Sequence, residues 1–335
     1  MSNYINSSTT PGRLRKFSAG ISNTHMLFAN DENNFDIDEN DFDETKQHTL
    51  ILDLYNKFGT TKQITTTTLD DNNDATSISS TKNFNEPQIA LGLRRSGFHV
   101  SGVIRNSRHA TLLIQNEIEP IVLESFDKVD LLADQFAKRS VIVDAVGYTK
   151  SLSEIIFQAA VKAGQQRTQH GKLAHYAPLF IFTSGIMTYG DTTMYGLRPV
   201  DETIKPNPQT IEIKNREEYE NLVLATSSNV LHTTVIRPGF IYGGHGGFVA
   251  DLFYSEKPAI IHGRRDKRWS WVHIDDLAEG YALIARASRA IVSGQMWNLA
   301  APNDNPTYEE IRINMARVSG QQIEYKEKTN DDKIP

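Results

Sequence analysis

From Pro87 onward the chain alternates between short, almost continuously apolar runs and longer segments with apolar positions three and four apart. The first pattern predicts buried strands and the second amphipathic helices. "PQIALGLRRSG" reads as a helix and "HVSGVIR" as a strand; "HATLLIQNE" and "PIVLE" repeat the pair. "KVDLLADQFAKR" precedes "SVIVDAVG", "LSEIIFQAAVKAGQQ" precedes "LFIFTSG", and "REEYENLVLATSS" precedes "HTTVIRPGFIYG". "IDDLAEGYALIARAS" and "TYEEIRINMARVSG" are later helices. Apolar strands alternating with helices specify a parallel sheet covered on both faces. Right-handed crossovers then make it doubly wound, an α/β fold of Rossmann-like type.

Residues 1–84 follow another pattern. "NDENNFDIDENDFDET" is acidic without Lys or Arg, and "TTKQITTTTLDDNNDATSISSTKN" is polar and of low complexity. Such segments bury too little apolar surface to offset ordering, which predicts a disordered leader over 1–84 and a folded domain over 85–335. Between them "TKQHTLILDLYNKFG" predicts a short helix at 46–58, with Gly59 as its cap, or alternatively a strand "TLILDL". "GRLRKFS" reads first as a solvated basic patch in a tail, and second as basic residues placed ahead of Ser18, as some kinases prefer.

Composition removes several classes. The net charge of -6 gives no general attraction to nucleic acid. With no cysteine there are no disulfides, thiolate metal sites or thiol nucleophiles. No apolar run is long enough to cross a bilayer, and the first residues carry no signal-type apolar core, so a cytoplasmic location is expected. No metal site is expected.

Four stretches resemble the extended short-chain dehydrogenase/reductase family, the NAD-dependent epimerase/dehydratase type. They are "ALGLRRSGFHVSGVIRN", "FIFTSGIMTYGD", "TTVIRPGFIYGGHGG" and "RWSWVHIDDLAEGYALIA", in the family's order and spacing. The resemblance implies a Rossmann-like domain with a small C-terminal substrate lobe. It implies a nicotinamide dinucleotide, a small carbonyl or sugar-type substrate, and a homodimer as the assembly. Arg105, with Asn106 and Arg108, follows the strand that reads the adenosine ribose. A cation there suits the 2′-phosphate of NADP better than the free hydroxyl of NAD, and equally reads as a surface arginine. Ala145, Val146 and Gly147 end another strand where small residues admit a cofactor. Arg237, Pro238 and Gly239 form the turn that in the family borders the nicotinamide. Asp275 or Asp276 is placed to cap a helix, with His273 a packed histidine.

The resemblance fails where the chemistry should be. The family's catalytic serine position falls on Gly185, its tyrosine on Glu212 and its lysine on Arg216. Thr183, Ser184 and Tyr189 are the nearby hydroxyls, and Arg216 keeps a positive charge without a lysine's proton chemistry. The arginine expected four residues before His273 is Trp269, with Arg268 one step away. The first strand and its glycine-rich phosphate turn are also missing from the pattern, as though truncated or replaced. Asn85 and Pro87 start a helix, and Glu86 would repel phosphate there. The gap would be filled by "TLILDL", by a partner's strand, or left imperfectly closed. The reading is a degenerate NADP- or NAD-binding member of the family; the alternatives are an active but atypical reductase using Thr183 or Tyr189, and a non-catalytic regulator or scaffold.

Overall fold

The computed structural model describes residues 88–169, 177–196, 199–244, 253, 257–301 and 305–326, and the backbone alone of 15–17, 26–28, 63–67 and 85–87. The short helix or strand expected at 46–58 lies outside the described residues. The chain divides into two units, Met1–Ser18 with His25–Thr60, and Ala19–Thr24 with Thr61–Pro335. In the first, β1 (Arg15–Phe17) pairs antiparallel with β2 (Met26–Phe28), so six residues of the leader are in strands where disorder was expected.

The second unit holds a seven-stranded sheet. Its strands are β3 (Gln63–Thr67), β4 (His99–Ile104), β5 (Glu119–Val122), β6 (Val141–Asp144), β7 (Leu179–Thr183), β8 (His232–Pro238) and β12 (Gln295–Leu299). Their order is β12-β8-β7-β6-β3-β4-β5, every pair parallel. The doubly wound expectation holds. The missing first strand is a correction. Neither "TLILDL" nor a gap occupies the centre, because β3 pairs Thr65 with Ser101 on one side and with Ile142 on the other. The segment was read as low complexity. Ile and Thr are nevertheless β-branched, and a run of them favours extended backbone. The sheet therefore starts well before the boundary expected near residue 84. Strand β12 was also absent from the sequence reading.

Both faces are covered. Ile142, Phe180, Phe182 and Val235 pack against α3 (Val129–Phe136), α4 (Lys150–Gln169) and α5 (Ile211–Ala225) through Phe136, Phe157, Ala160, Tyr219 and Val223. On the other side α1 (Asn85–Arg95) lies against α6 (Ile274–Arg286) so closely that a Cβ on Gly92 would collide with that of Ala278. The short α2 (Ala110–Gln115) follows β4, and α7 (Arg289–Val292) precedes β12. The helix that ends in the small lobe, α8 (Tyr308–Ser319), has a full capping box, Thr307 with Glu310.

That lobe contains two parallel pairs, β9 (Phe240–Tyr242) with β11 (Trp271–His273) and β10 (Ala259–His262) with β13 (Ile323–Lys326). Its core is aromatic. Trp269 stacks on Phe240 with centroids 4.4 Å apart and packs near Phe253 and Tyr308. The position expected to carry an arginine is thus committed to packing. The cap of α6 is a second correction: His273, not Asp275 or Asp276, accepts from the Asp275 N–H at 3.3 Å. The two aspartates sit in the first turn, where the helix dipole favours negative charge.

Candidate functional site

In an open parallel sheet the ligand crevice lies beyond the carboxyl ends of the strands, where the strand order reverses. Here that point lies between β3 and β6, with Thr67 in register with Asp144. Each strand end contributes a different chemistry.

Beyond β4, Arg105, Asn106 and Ser107 line an open depression with Val122 and Glu124. The Asn106 carboxamide fixes the turn by accepting from the Arg108 N–H at 3.0 Å. The Arg105 guanidinium lies 5.8 Å from the ring centroid of Phe126. Arg108 is exposed and donates from Nε to His109 Nε2 at 3.2 Å.

At the end of β6, Asp144 is only 1% exposed. One of its oxygens accepts from the Val146 N–H at 3.3 Å, and the other, Oδ2, has no partner among the described residues. Burial pushes its carboxyl up to about 7, against the opposing pull of that N–H. Ala145 is buried, Val146 packs against the core, and Gly147 takes a φ of 87° that favours glycine.

The end of β7 is the densest part. Successive residues of a strand face opposite ways, and Thr183 and Ser184 do. The Thr183 hydroxyl shares a hydrogen bond with Tyr281 of α6, while Ser184 donates to Glu220 of α5. Glu220 is wholly buried. It accepts from Arg237 Nε at 3.2 Å and from Arg237 Nη2, and the Thr188 hydroxyl adds a bond at 3.1 Å. Arg237 is 1% exposed, and its guanidinium lies 4.7 Å from the centroid of Tyr189. This places Arg237 inside the protein rather than on the crevice wall where the turn was expected to present it. Pro238 ends β8. Gly239 donates to the Leu299 carbonyl at 2.8 Å, and a Cβ there would lie 2.7 Å from the Ser270 oxygen.

Tyr189 is equally committed. Its hydroxyl meets the Asn298 carboxamide, which donates to it at 2.9 Å, and the Asp201 carbonyl at 3.1 Å. Burial, ahead of the opposing Asn298 and Arg237, raises its phenol.

Helix α5 starts at Thr210, whose hydroxyl accepts from the Ile213 N–H at 3.4 Å. Glu212 in its first turn is exposed. Its own backbone N–H and the Thr210 hydroxyl hold its carboxyl below the usual range, so it is ionised near neutrality. One turn on, Arg216 extends to the end of β7, where its Nη1 lies 3.4 Å from the position of a Cβ on Gly185. Its Nε and Nη2 are buried with no hydrogen-bond partner among the described residues. Desolvation pulls the guanidinium pKa down, and Glu220 opposes it.

Sequence reasoning missed two members of this cluster. Glu220 was not singled out, although a glutamate among apolar positions of a buried face calls for a cation. Tyr148, just after Gly147, donates to the Asn215 carbonyl at 3.2 Å and packs on Tyr219 with centroids 5.5 Å apart.

Residues 172–300 match the model of the NAD dependent epimerase/dehydratase family. The fold is shared with solved structures. A dTDP-glucose 4,6-dehydratase from Bacillus anthracis, solved with NAD, is 15% identical, with 81% of this chain and 86% of that one covered and a TM-score of 0.56. A UDP-glucose 4-epimerase from Thermus thermophilus, also solved with NAD, is 13% identical, with 81% and 88% covered and a TM-score of 0.54. A UDP-glucose 4-epimerase from Thermotoga maritima, solved with UDP-glucose, is 16% identical, with 81% and 87% covered and a TM-score of 0.56. No curated protein matches the chain in sequence.

The residues that the sequence resemblance sets at the expected serine, tyrosine and lysine positions are Gly185, an exposed Glu212 and Arg216. Among the described residues no helix is long and apolar enough to cross a membrane, and no group of three His, Asp or Glu side chains is placed to hold a metal ion.

Proposed function

We propose that this protein binds a nicotinamide dinucleotide, NADP ahead of NAD, and that it is a degenerate member of its family lacking the proton relay. The observation that carries this reading is the meeting of Gly185 and Arg216 at the end of β7, with Glu212 in solvent. A relay needs a group that gives a proton to the substrate oxygen near neutral pH. Glycine has none, arginine is too weak an acid, and Glu212 is already ionised. The neighbouring hydroxyls of Thr183, Ser184 and Tyr189 are held by Tyr281, Glu220 and Asn298.

The residues present fit the cofactor at its adenosine end. Arg105, Asn106 and Ser107 offer donors around an open depression, which suits a phosphorylated ribose. Asp144 at the strand reversal suits a phosphate neighbour only when protonated, and its raised pKa permits that form. Residues 68–84, between β3 and α1, contain no glycine. The phosphates therefore lack the close backbone approach that glycines allow. When bound, the dinucleotide supplies hydride transfer. The chain contributes binding and orientation of the cofactor and of a small carbonyl or sugar-type ligand.

The test is NADPH consumption by the full-length chain over a panel of small carbonyl compounds and nucleotide sugars. Loss of general acid–base help predicts rates about 10²–10⁴-fold below those of relay-bearing enzymes. Turnover in their ordinary range of about 1–10³ s⁻¹ would overturn the reading.

A further inference from the structure

Arg237 grips the Glu220 carboxylate with Nε and Nη2. On Arg216 the same two nitrogens are the buried ones without a hydrogen-bond partner among the described residues. Nε–H and one Nη–H of a guanidinium point the same way and form a planar fork that matches two oxygens of a carboxylate. What is left open on Arg216 is therefore one whole recognition edge. Buried donors are almost always satisfied, and an exception points to an absent ligand, ion or water.

Charge selects among possible ligands. The groups that act on Arg216 are Glu220, Arg237 and Tyr148. Glu220 is already bound by Arg237, so among the described residues two arginines share one carboxylate and a positive charge remains uncompensated. A vicinal diol would satisfy the fork but leave that charge. A carboxylate satisfies both. Position agrees: the guanidinium stands beside Gly185 at the carboxyl end of β7, on the ligand side of the sheet, in space that a serine side chain would share.

We infer that Arg216 is a carboxylate-binding residue and that the ligand of this crevice is a small acid, such as a 2-oxo acid. The inference rests on the ligand-binding reading above and names the class of its second ligand. Arg216 Nε–H and Nη2–H donate to the two oxygens of the acid, and Gly185 leaves room for the fork. No proton or hydride moves in this step. Both nitrogens are out of solvent contact now, so binding displaces the protein atoms that cover them.

The experiment uses the full-length chain with pyruvate and its uncharged methyl ester, at constant ionic strength set with sodium chloride. Binding is read by saturation-transfer NMR and by the shift in Tm. Pyruvate should bind and the ester at least about tenfold more weakly, because one charge-assisted fork is lost. Arg216→Met should abolish pyruvate binding while leaving the unliganded Tm unchanged or higher, since an unpaired buried charge has been removed. Arg216→Lys keeps the charge without the fork and should bind at least about tenfold more weakly. Equal binding of acid and ester, wild-type binding by Arg216→Met, or no binding of pyruvate at millimolar concentration would overturn the inference. NADPH titrated into the same samples separates the two readings. Pyruvate binding without NADPH binding removes only the dinucleotide reading, and the reverse removes only the carboxylate site.

Discussion

Arg237 holds Glu220 through one edge of its guanidinium, with both groups sealed from solvent and Ser184 and Thr188 bonded to the same carboxylate. Removing one partner of such a pair strands the other charge in the interior. Glu220→Gln or Arg237→Met should each lower stability by about 3–5 kcal/mol. Urea unfolding with near-UV circular dichroism checks this. A loss below about 1 kcal/mol in both would mean that the pair is solvated in solution.

Asp144 predicts a pH dependence with a definite sign. Its folded pKa of about 7 lies above the ordinary carboxylate value, so the folded state holds the proton more tightly than the unfolded one. The stability from that difference is complete below about pH 4 and drains away as pH rises towards 7 and beyond. At about 1.4 kcal/mol per unit, the total is of order 4 kcal/mol. Asp144→Asn should flatten this slope and make the protein more stable than the parent at pH 8. Identical unfolding curves for the two between pH 5 and 8 would contradict it.

Strand β3 carries a prediction that needs only its backbone. Thr65 sits between Ser101 and Ile142 in the ladders. Thr65→Pro removes a donor in the middle of the sheet and should cost more than about 2 kcal/mol. Thr65→Val should change stability by less than about 1 kcal/mol, since both residues are β-branched. Equal urea midpoints for the two variants would remove β3 from the sheet.

The contrast between β3 and the other strands shows what the sequence conveys. β4, β6, β7 and β8 were legible because Val, Ile, Leu and Phe crowd short runs flanked by helical periodicity. β3 lies among Asn, Asp, Ser and Thr, and its partners are distant in sequence, so composition argued against it. At the site, the sequence resemblance set Gly185, Glu212 and Arg216 at the expected serine, tyrosine and lysine positions, and the fold brings Gly185 and Arg216 together. The role of Arg237 was not legible. Its partner Glu220 is 17 residues away on a different element, and only the fold brings the charges together. His273 as the cap of α6 was missed because an imidazole nitrogen is a less frequent acceptor there than a carboxylate.

The adenosine end predicts cofactor preference. Arg105→Asp should weaken NADPH binding about tenfold to a hundredfold and narrow or reverse the margin over NADH, since a charge-assisted bond to phosphate is worth about 1.5–3 kcal/mol. Equal affinities for the two nucleotides in the parent protein would remove the argument.

We propose a dinucleotide-binding fold whose phosphate loop and proton relay are both depleted. Isothermal titration of NADPH and NADH into the full-length chain tests it most directly. The account predicts binding of NADPH at micromolar or weaker affinity, with NADH weaker still. No heat of binding for either nucleotide at millimolar concentration, or submicromolar NADPH binding accompanied by rapid turnover of a carbonyl substrate, would contradict it.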